Sequence, residues 1–231
     1  MGNALPGAQR KLVVLEQDPL TWRLEHIVEI RKKYLNEGWD LAVDKDQLSA
    51  VVNAVLPDPT GHDIVEEQLW RKYHDHVHGG SEVNVLEVFA GLAVITLGAF
   101  EEKARFVFSL FDFNETGSLG YNEILVMLYT ALSGTLCYVG RGAPPTDQDL
   151  EKHVDHMYDT LGRDVHERID EDQMIAYYKI RIRELCEARG VDLCDTAMIF
   201  LFCYDMVTHA MLDDAPSTKA IVLNSEDIGF D

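Results

Sequence analysis

Cysteine is sparse in these 231 residues, and the four present, Cys137, Cys186, Cys194 and Cys203, fall in no CxxC spacing and follow no secretory leader. They read as reduced thiols of a cytoplasmic protein rather than a disulfide framework. Positive charge is short as well: 20 Lys and Arg stand against 40 Asp and Glu, giving a net charge of -20. Nucleic acid and anionic membrane surfaces repel such a chain, so basic protein segments and cations are its natural counterparts. The apolar run over residues 198–204 falls well below the ~20 residues of a membrane span. At the start, Pro6 stands where a myristoylation motif wants Ser or Thr, so no lipid anchor is expected. No phosphate loop and no nucleophile elbow occurs, and no carboxylates cluster outside one loop, so no enzyme is expected.

That loop is Asp-Phe-Asn-Glu-Thr-Gly-Ser-Leu-Gly-Tyr-Asn-Glu over residues 112–123, and its spacing is that of an EF-hand calcium loop. Asp112, Asn114 and Thr116 take positions 1, 3 and 5, Gly117 makes the turn at position 6, and Ser118 offers its carbonyl at position 7. Gly120 at position 9 has no side chain, so a water fills that vertex, and Glu123 closes the shell in bidentate fashion at position 12. Calcium wants six to eight oxygens with some freedom of geometry, which alternate residues of one loop supply. The flanks carry helical stripes, Ala104, Val107, Phe108 and Phe111 before the loop and Ile124, Met127, Leu128 and Ala131 after it.

Three worn copies follow from the same phase argument. The first spans Asn36 to Gln47, with Gly38, Asp40 and Gln47 in ligand places and Val43 at position 8. Its entering helix carries Leu24, Ile27, Val28 and Leu35 after a Thr21 cap, and its exit helix, residues 45–56, turns Leu48, Val51, Val52 and Val55 inward. A third helix over residues 62–73 leads into a second loop without ligands, and Val83, Glu87, Val88, Leu92 and Ile95 keep the exit pattern. His74, His76 and His78 in that loop are two apart, which is zinc or copper spacing in an extended segment, yet no fourth ligand is placed, and a solvated degenerate loop is the preferred reading. The fourth loop spans residues 162–173, with Ile169 at position 8 and too few anionic oxygens. His153 and His156, on its entering helix, read as surface residues.

Residues 134–147, with Gly140, Gly142, Pro144 and Pro145, read as a long linker. A last helix over residues 195–212, carrying Met198, Phe200, Leu201, Tyr204 and Met206, is a core helix or a cover for a groove, and the acidic tail beyond it is loosely ordered. Loop pairing predicts Val43 opposite Val83 and Leu119 opposite Ile169 in short antiparallel bridges.

The run Val83-Asn84-Val85-Leu86-Glu87, through Gly98, Glu101-Glu102-Lys103 and Phe106 into Asp112-Phe113-Asn114, resembles four-EF-hand proteins of the calcineurin B and neuronal calcium sensor group, and within it the calaxin-like axonemal branch. The resemblance implies an all-α fold of two EF-hand lobes, here residues 20–98 and 99–190 between an arm over 1–19 and a helix and tail over 191–231. It also implies calcium binding without catalysis, a hydrophobic groove for a partner, and, for the axonemal branch, a place on dynein-docking structures of cilia. Calcium ligands carry over only to Asp112, Asn114, Thr116, Ser118, Gly120 and Glu123, which means one ion.

The favoured expectation is a calcium-binding adaptor or structural subunit of a larger assembly, with the ciliary or flagellar axoneme as the candidate. The alternative is a calcium-responsive regulatory subunit of an enzyme or motor. The expected partner is a protein offering an amphipathic helix to a groove lined by Phe106, Phe108, Met127 and Leu128. Nucleic acid, a membrane span and the bare acidic surface of a microtubule are not expected partners.

Overall fold

Apolar residues recurring at helical spacing set the architecture. The computed structural model describes residues 22–53, 55, 62–74, 81–140 and 144–189. Among them are helices α1 Leu24–Glu37, α2 Lys45–Asn53, α3 His62–His74, α4 Val85–Ile95, α5 Phe100–Phe111, α6 Tyr121–Val139, α7 Asp147–Leu161 and α8 Glu171–Arg189. Four two-residue strands lie between them: β1 Ala42–Val43, β2 Val83–Asn84, β3 Ser118–Leu119 and β4 Ile169–Asp170. The described chain is therefore mostly helical, as the sequence implied. Thr21, His76, His78 and the 195–212 helix lie outside the described residues.

The strands pair antiparallel in two separate ribbons, β1 with β2 and β3 with β4. Val43 stands opposite Val83, and Leu119 opposite Ile169, the two pairs the sequence predicts. All four side chains are buried, so each ribbon satisfies its backbone groups and closes the apolar floor between two helix–loop–helix units.

Helix ends follow local chemistry. Asn84 caps α4 by accepting from the Leu86 N–H at 3.0 Å. Thr146 and Asp149 form a reciprocal box at the start of α7, with the Thr146 N–H donating to Asp149 Oδ2 at 3.1 Å and the Asp149 N–H to Thr146 Oγ1 at 3.3 Å. At α1 the cap is Arg23, whose N–H donates to His26 Nδ1 at 3.1 Å. The inward face of α1 differs from the sequence reading. Leu24, Ile27, Ile30 and Tyr34 are buried, whereas Val28 and Leu35 are exposed. Ile30 and Tyr34 take the core positions that the sequence phase gives to Val28 and Leu35.

The two ribbon-linked pairs share one core, a continuous apolar cluster running from Trp22 to Ile182. Its hub is α6, which packs against α3, α4, α5 and α7. Residues 134–139, read from sequence as the start of a linker, are the last turns of this helix, which ends on Gly140 in the left-handed conformation. Gly134 is there for contact. A Cβ built on it would sit 2.0 Å from the Glu87 carbonyl oxygen, and one on Gly91 would sit 2.4 Å from the Gly134 carbonyl carbon. The backbones of α4 and α6 thus touch where they cross, and any side chain would push them apart. By length and composition α6 could cross a membrane, a stretch the sequence reading did not single out. Here Ile124, Met127, Leu128, Leu132 and Leu136 are buried in the protein core, while Val126 and Tyr129 are exposed.

Candidate metal centre

The loop between α5 and α6 is shaped by its own polar groups. Asp112 follows the last residue of α5, and its Oδ1 accepts from the Thr116 N–H at 3.0 Å while Oδ2 accepts from the Gly117 N–H at 2.8 Å. Those bonds wrap the chain around one carboxylate, and Gly117 makes the turn at φ +70. The Thr116 hydroxyl then lies 3.3 Å from Asp112 Oδ1, 3.0 Å from Asn114 Oδ1 and 3.1 Å from the Ser118 carbonyl oxygen. Oxygens from positions 1, 3, 5 and 7 thereby converge on one locus. An all-oxygen set with one carboxylate and neutral neighbours is what a hard cation takes. These residues fit calcium. Among the described residues no group of three or more His, Cys, Asp and Glu side chains comes together for a metal, so the loop depends on carbonyl, amide and hydroxyl oxygens beside Asp112 and Glu123.

Glu123 opens α6 from its third position, and its Oε2 accepts the Gly120 N–H at 2.7 Å. The same oxygen accepts Nη2 of Arg168 at 2.7 Å, from the loop across the ribbon. Arg168 also donates from Nε to Ser118 Oγ at 3.0 Å and from Nη2 to the Ser118 carbonyl. Gly120 contributes no side chain, as the sequence states, and the space over it faces Arg168, whose Nη1 would be 3.5 Å from a Cβ there. The structure brings the Asp112, Asn114, Thr116 and Ser118 oxygens together and links Glu123 to Ser118 through Arg168, the participant that reading the loops one at a time missed. Writing out the antiparallel register would have revealed it, because Arg168 precedes Ile169 and so falls beside Gly120.

The first and fourth loops are closed from within. In the first, Tyr34 Oη lies 2.7 Å from the Asp40 carbonyl and 3.1 Å from that of Trp39. Gln47 accepts the Asp44 N–H at 3.0 Å, and Asp44 accepts the Gln47 N–H at 2.8 Å. In the fourth, the Tyr158 hydroxyl donates to the Glu167 carbonyl at 2.9 Å, and Gln173 and Asp170 repeat the reciprocal box at 3.1 and 2.8 Å. Tyrosine hydroxyls and glutamine amides occupy the carbonyls and amides that an ion would otherwise organise.

The histidines divide. His74 ends α3 and stacks on Trp70 with ring centroids 4.9 Å apart, and its proposed companions lie outside the described residues. His153 is not a surface residue: it is 3 % exposed, stacked on Tyr178, with Nε2 3.3 Å from the Tyr178 hydroxyl. Burial, then the charges of Arg181 and His156, lower its pKa to about 3, so it stays neutral. His156 is exposed, with Nδ1 3.0 Å from the Tyr177 hydroxyl. Cys137 is a buried free thiol, and burial followed by the Glu87 charge pushes its pKa up to about 11. It is therefore protonated and unreactive at neutral pH.

The residues named from sequence as a groove lining are covered. Phe106, Phe108, Met127 and Leu128 are all buried. An open cleft lies instead between α6 and α7, lined by Leu125, Val126, Tyr129 and Leu150 with Asp147 and Glu151 at its edge.

The chain is 27 % identical over 136 residues to calaxin of Homo sapiens, a match covering 58 % of this chain and 59 % of calaxin. The chain thus matches less than two thirds of that relative's length. This similarity supports the calaxin-like part of the resemblance and does not extend to the wider calcineurin B and neuronal calcium sensor group. No protein-family model matches the chain.

Proposed function

We propose that this is a non-enzymatic calcium-binding protein of two EF-hand pairs, residues 20–98 and 99–190, in which the 112–123 loop holds one ion. The convergence of the Asp112, Asn114, Thr116 and Ser118 oxygens carries this reading. Bound there, calcium supplies charge that draws these oxygens and the Glu123 carboxylate together, and Gly120 leaves a vertex to water. Only Asp112 and Glu123 bring full charge, so the dissociation constant lies near or above ~10⁻⁵ M. Isothermal calorimetry checks this: one site is expected, and Glu123→Gln abolishes it. Two sites, or none in a folded chain, overturn it.

Its role is that of an adaptor or structural subunit of a larger assembly, and the similarity to calaxin supports the axoneme of a cilium or flagellum as that assembly. The partner is a protein segment, a basic amphipathic helix laid in the α6–α7 cleft, where apolar Leu125, Val126 and Tyr129 meet acidic Asp147 and Glu151. The chain carries a net charge of -20, so it docks through such a protein and neither on a bare microtubule nor on nucleic acid. A calcium-responsive regulatory subunit is the second reading, favoured by Arg168, which already holds two ligand groups that an ion would need. Capture of partners in calcium and in chelator separates the two: equal capture supports the adaptor, and calcium-dependent capture supports the regulator.

A further inference from the structure

The loop over residues 162–173 has no ion chemistry of its own, yet it sends one side chain across the ribbon. Arg168 is fixed in place because Ile169, next to it, is fully buried opposite Leu119. From there the guanidinium reaches the Ser118 hydroxyl and carbonyl and Glu123 Oε2. The Ser118 carbonyl and the Glu123 carboxylate are the position 7 and position 12 ligands. No side chain at Gly120 stands in the way.

We propose that Arg168 is a tethered cation that competes with calcium for the 112–123 loop and is expelled when the ion binds. The proposal rests on the calcium reading of that loop and adds the residue that sets its affinity. A bidentate glutamate offers both oxygens to the ion at about 2.3–2.6 Å, and the Ser118 carbonyl does the same with one. Glu123 Oε2 is now shared between Arg168 and the Gly120 N–H. The guanidinium and the ion therefore require the same lone pairs, and their like charges repel at that separation.

Two consequences follow from linkage. The apparent calcium affinity is lowered by the fraction of molecules in which Arg168 sits in the site. Reciprocally, calcium weakens the hold on Arg168 by the same factor and turns a cation out to solvent beside the ribbon of a strongly acidic protein. The arginine also supplies positive charge to Glu123 when calcium is scarce, so the loop keeps its shape without the ion.

The test is Arg168→Gln in the full chain, with calcium calorimetry and thermal melts in chelator and in saturating calcium. Calcium binding about tenfold tighter than wild type is expected, with a lower melting temperature in chelator and an unchanged one in calcium. If wild type binds calcium and the variant binds equally or more weakly, Arg168 supports the site or is irrelevant to it; the inference is overturned while the calcium reading stands. If neither binds calcium although circular dichroism shows intact helix, the calcium reading itself fails and takes the inference with it. Arg168→Lys keeps the charge without the planar fork and decides the matter should the glutamine variant not fold. Affinity above wild type supports competition, and affinity equal to or below it refutes it.

Discussion

The two halves of the protein use the same ribbon and differ in what closes their loops. In the first half, Tyr34 and the Gln47–Asp44 box settle the first loop from inside its own unit. In the second half, the 112–123 loop leaves its oxygens gathered and lets a side chain from the partner loop answer Glu123. The difference teaches that the shape of such a unit and its ability to hold an ion are separable. A short ribbon with buried Val43–Val83 or Leu119–Ile169 pairs makes the shape, while side-chain and carbonyl oxygens converging beside the Asp112 carboxylate make the candidate site.

The comparison is broken most severely by attacking the ribbons. Leu119→Ala removes a fully buried side chain and is expected to cost about 2–5 kcal/mol by urea unfolding, with loss of calcium affinity. Val43→Ala is expected to cost stability while calcium affinity stays as in wild type. Equal losses of affinity in both would show that the halves do not act separately.

Next comes the crossing that fuses them. Gly134→Ala places a methyl group on the Glu87 carbonyl and is expected to cost about 1–3 kcal/mol through backbone displacement. Two unfolding transitions in place of one would indicate that the crossing is what makes the halves cooperative.

Acid sharpens the contrast further, because neutral His153 lies buried in the second half. Its folded pKa, about 3, lies below the ordinary histidine value of 6.5, so between those values the unfolded chain binds more protons and stability falls as pH drops. Lowering pH from 7 to 5 is expected to cost about 2 kcal/mol from this group. In His153→Gln that share of the pH slope should disappear from a series of thermal melts.

The smallest effect belongs to the internal closures. Gln173→Ala and Gln47→Ala each remove the acceptor for one helix-start N–H and are expected to cost about 0.5–2 kcal/mol with no change in calcium binding.

Much of this was legible in the sequence because it is local. The ligand spacing of 112–123, the helix phases on either side and the position 8 apolar residues fixed both ribbons and the gathered oxygens. What escaped depended on partners far along the chain. Gly134 suggested a linker because glycine punctuates loops, whereas its missing side chain serves the carbonyl of Glu87. His153 looked like surface chemistry, being polar between the apolar positions Leu150 and Val154, and Tyr178 from α8 covers it. Arg168 was not singled out, because nothing local marks it and only the ribbon register brings it to Glu123. Phe106, Phe108, Met127 and Leu128 suggested a groove by composition, and they are buried.

The central claim is that one loop binds and its structural equivalents do not. A calcium titration followed by nitrogen–proton correlation spectroscopy tests it through three glycines in left-handed loop conformations, Gly38, Gly117 and Gly162. The account predicts that the amide of Gly117, which donates to Asp112, shifts and saturates at one equivalent while those of Gly38 and Gly162 stay near their starting positions, and that Glu123→Gln leaves all three unmoved. Saturable shifts at Gly38 or Gly162 that survive Glu123→Gln, or a Gly117 amide indifferent to calcium in the folded protein, would contradict it.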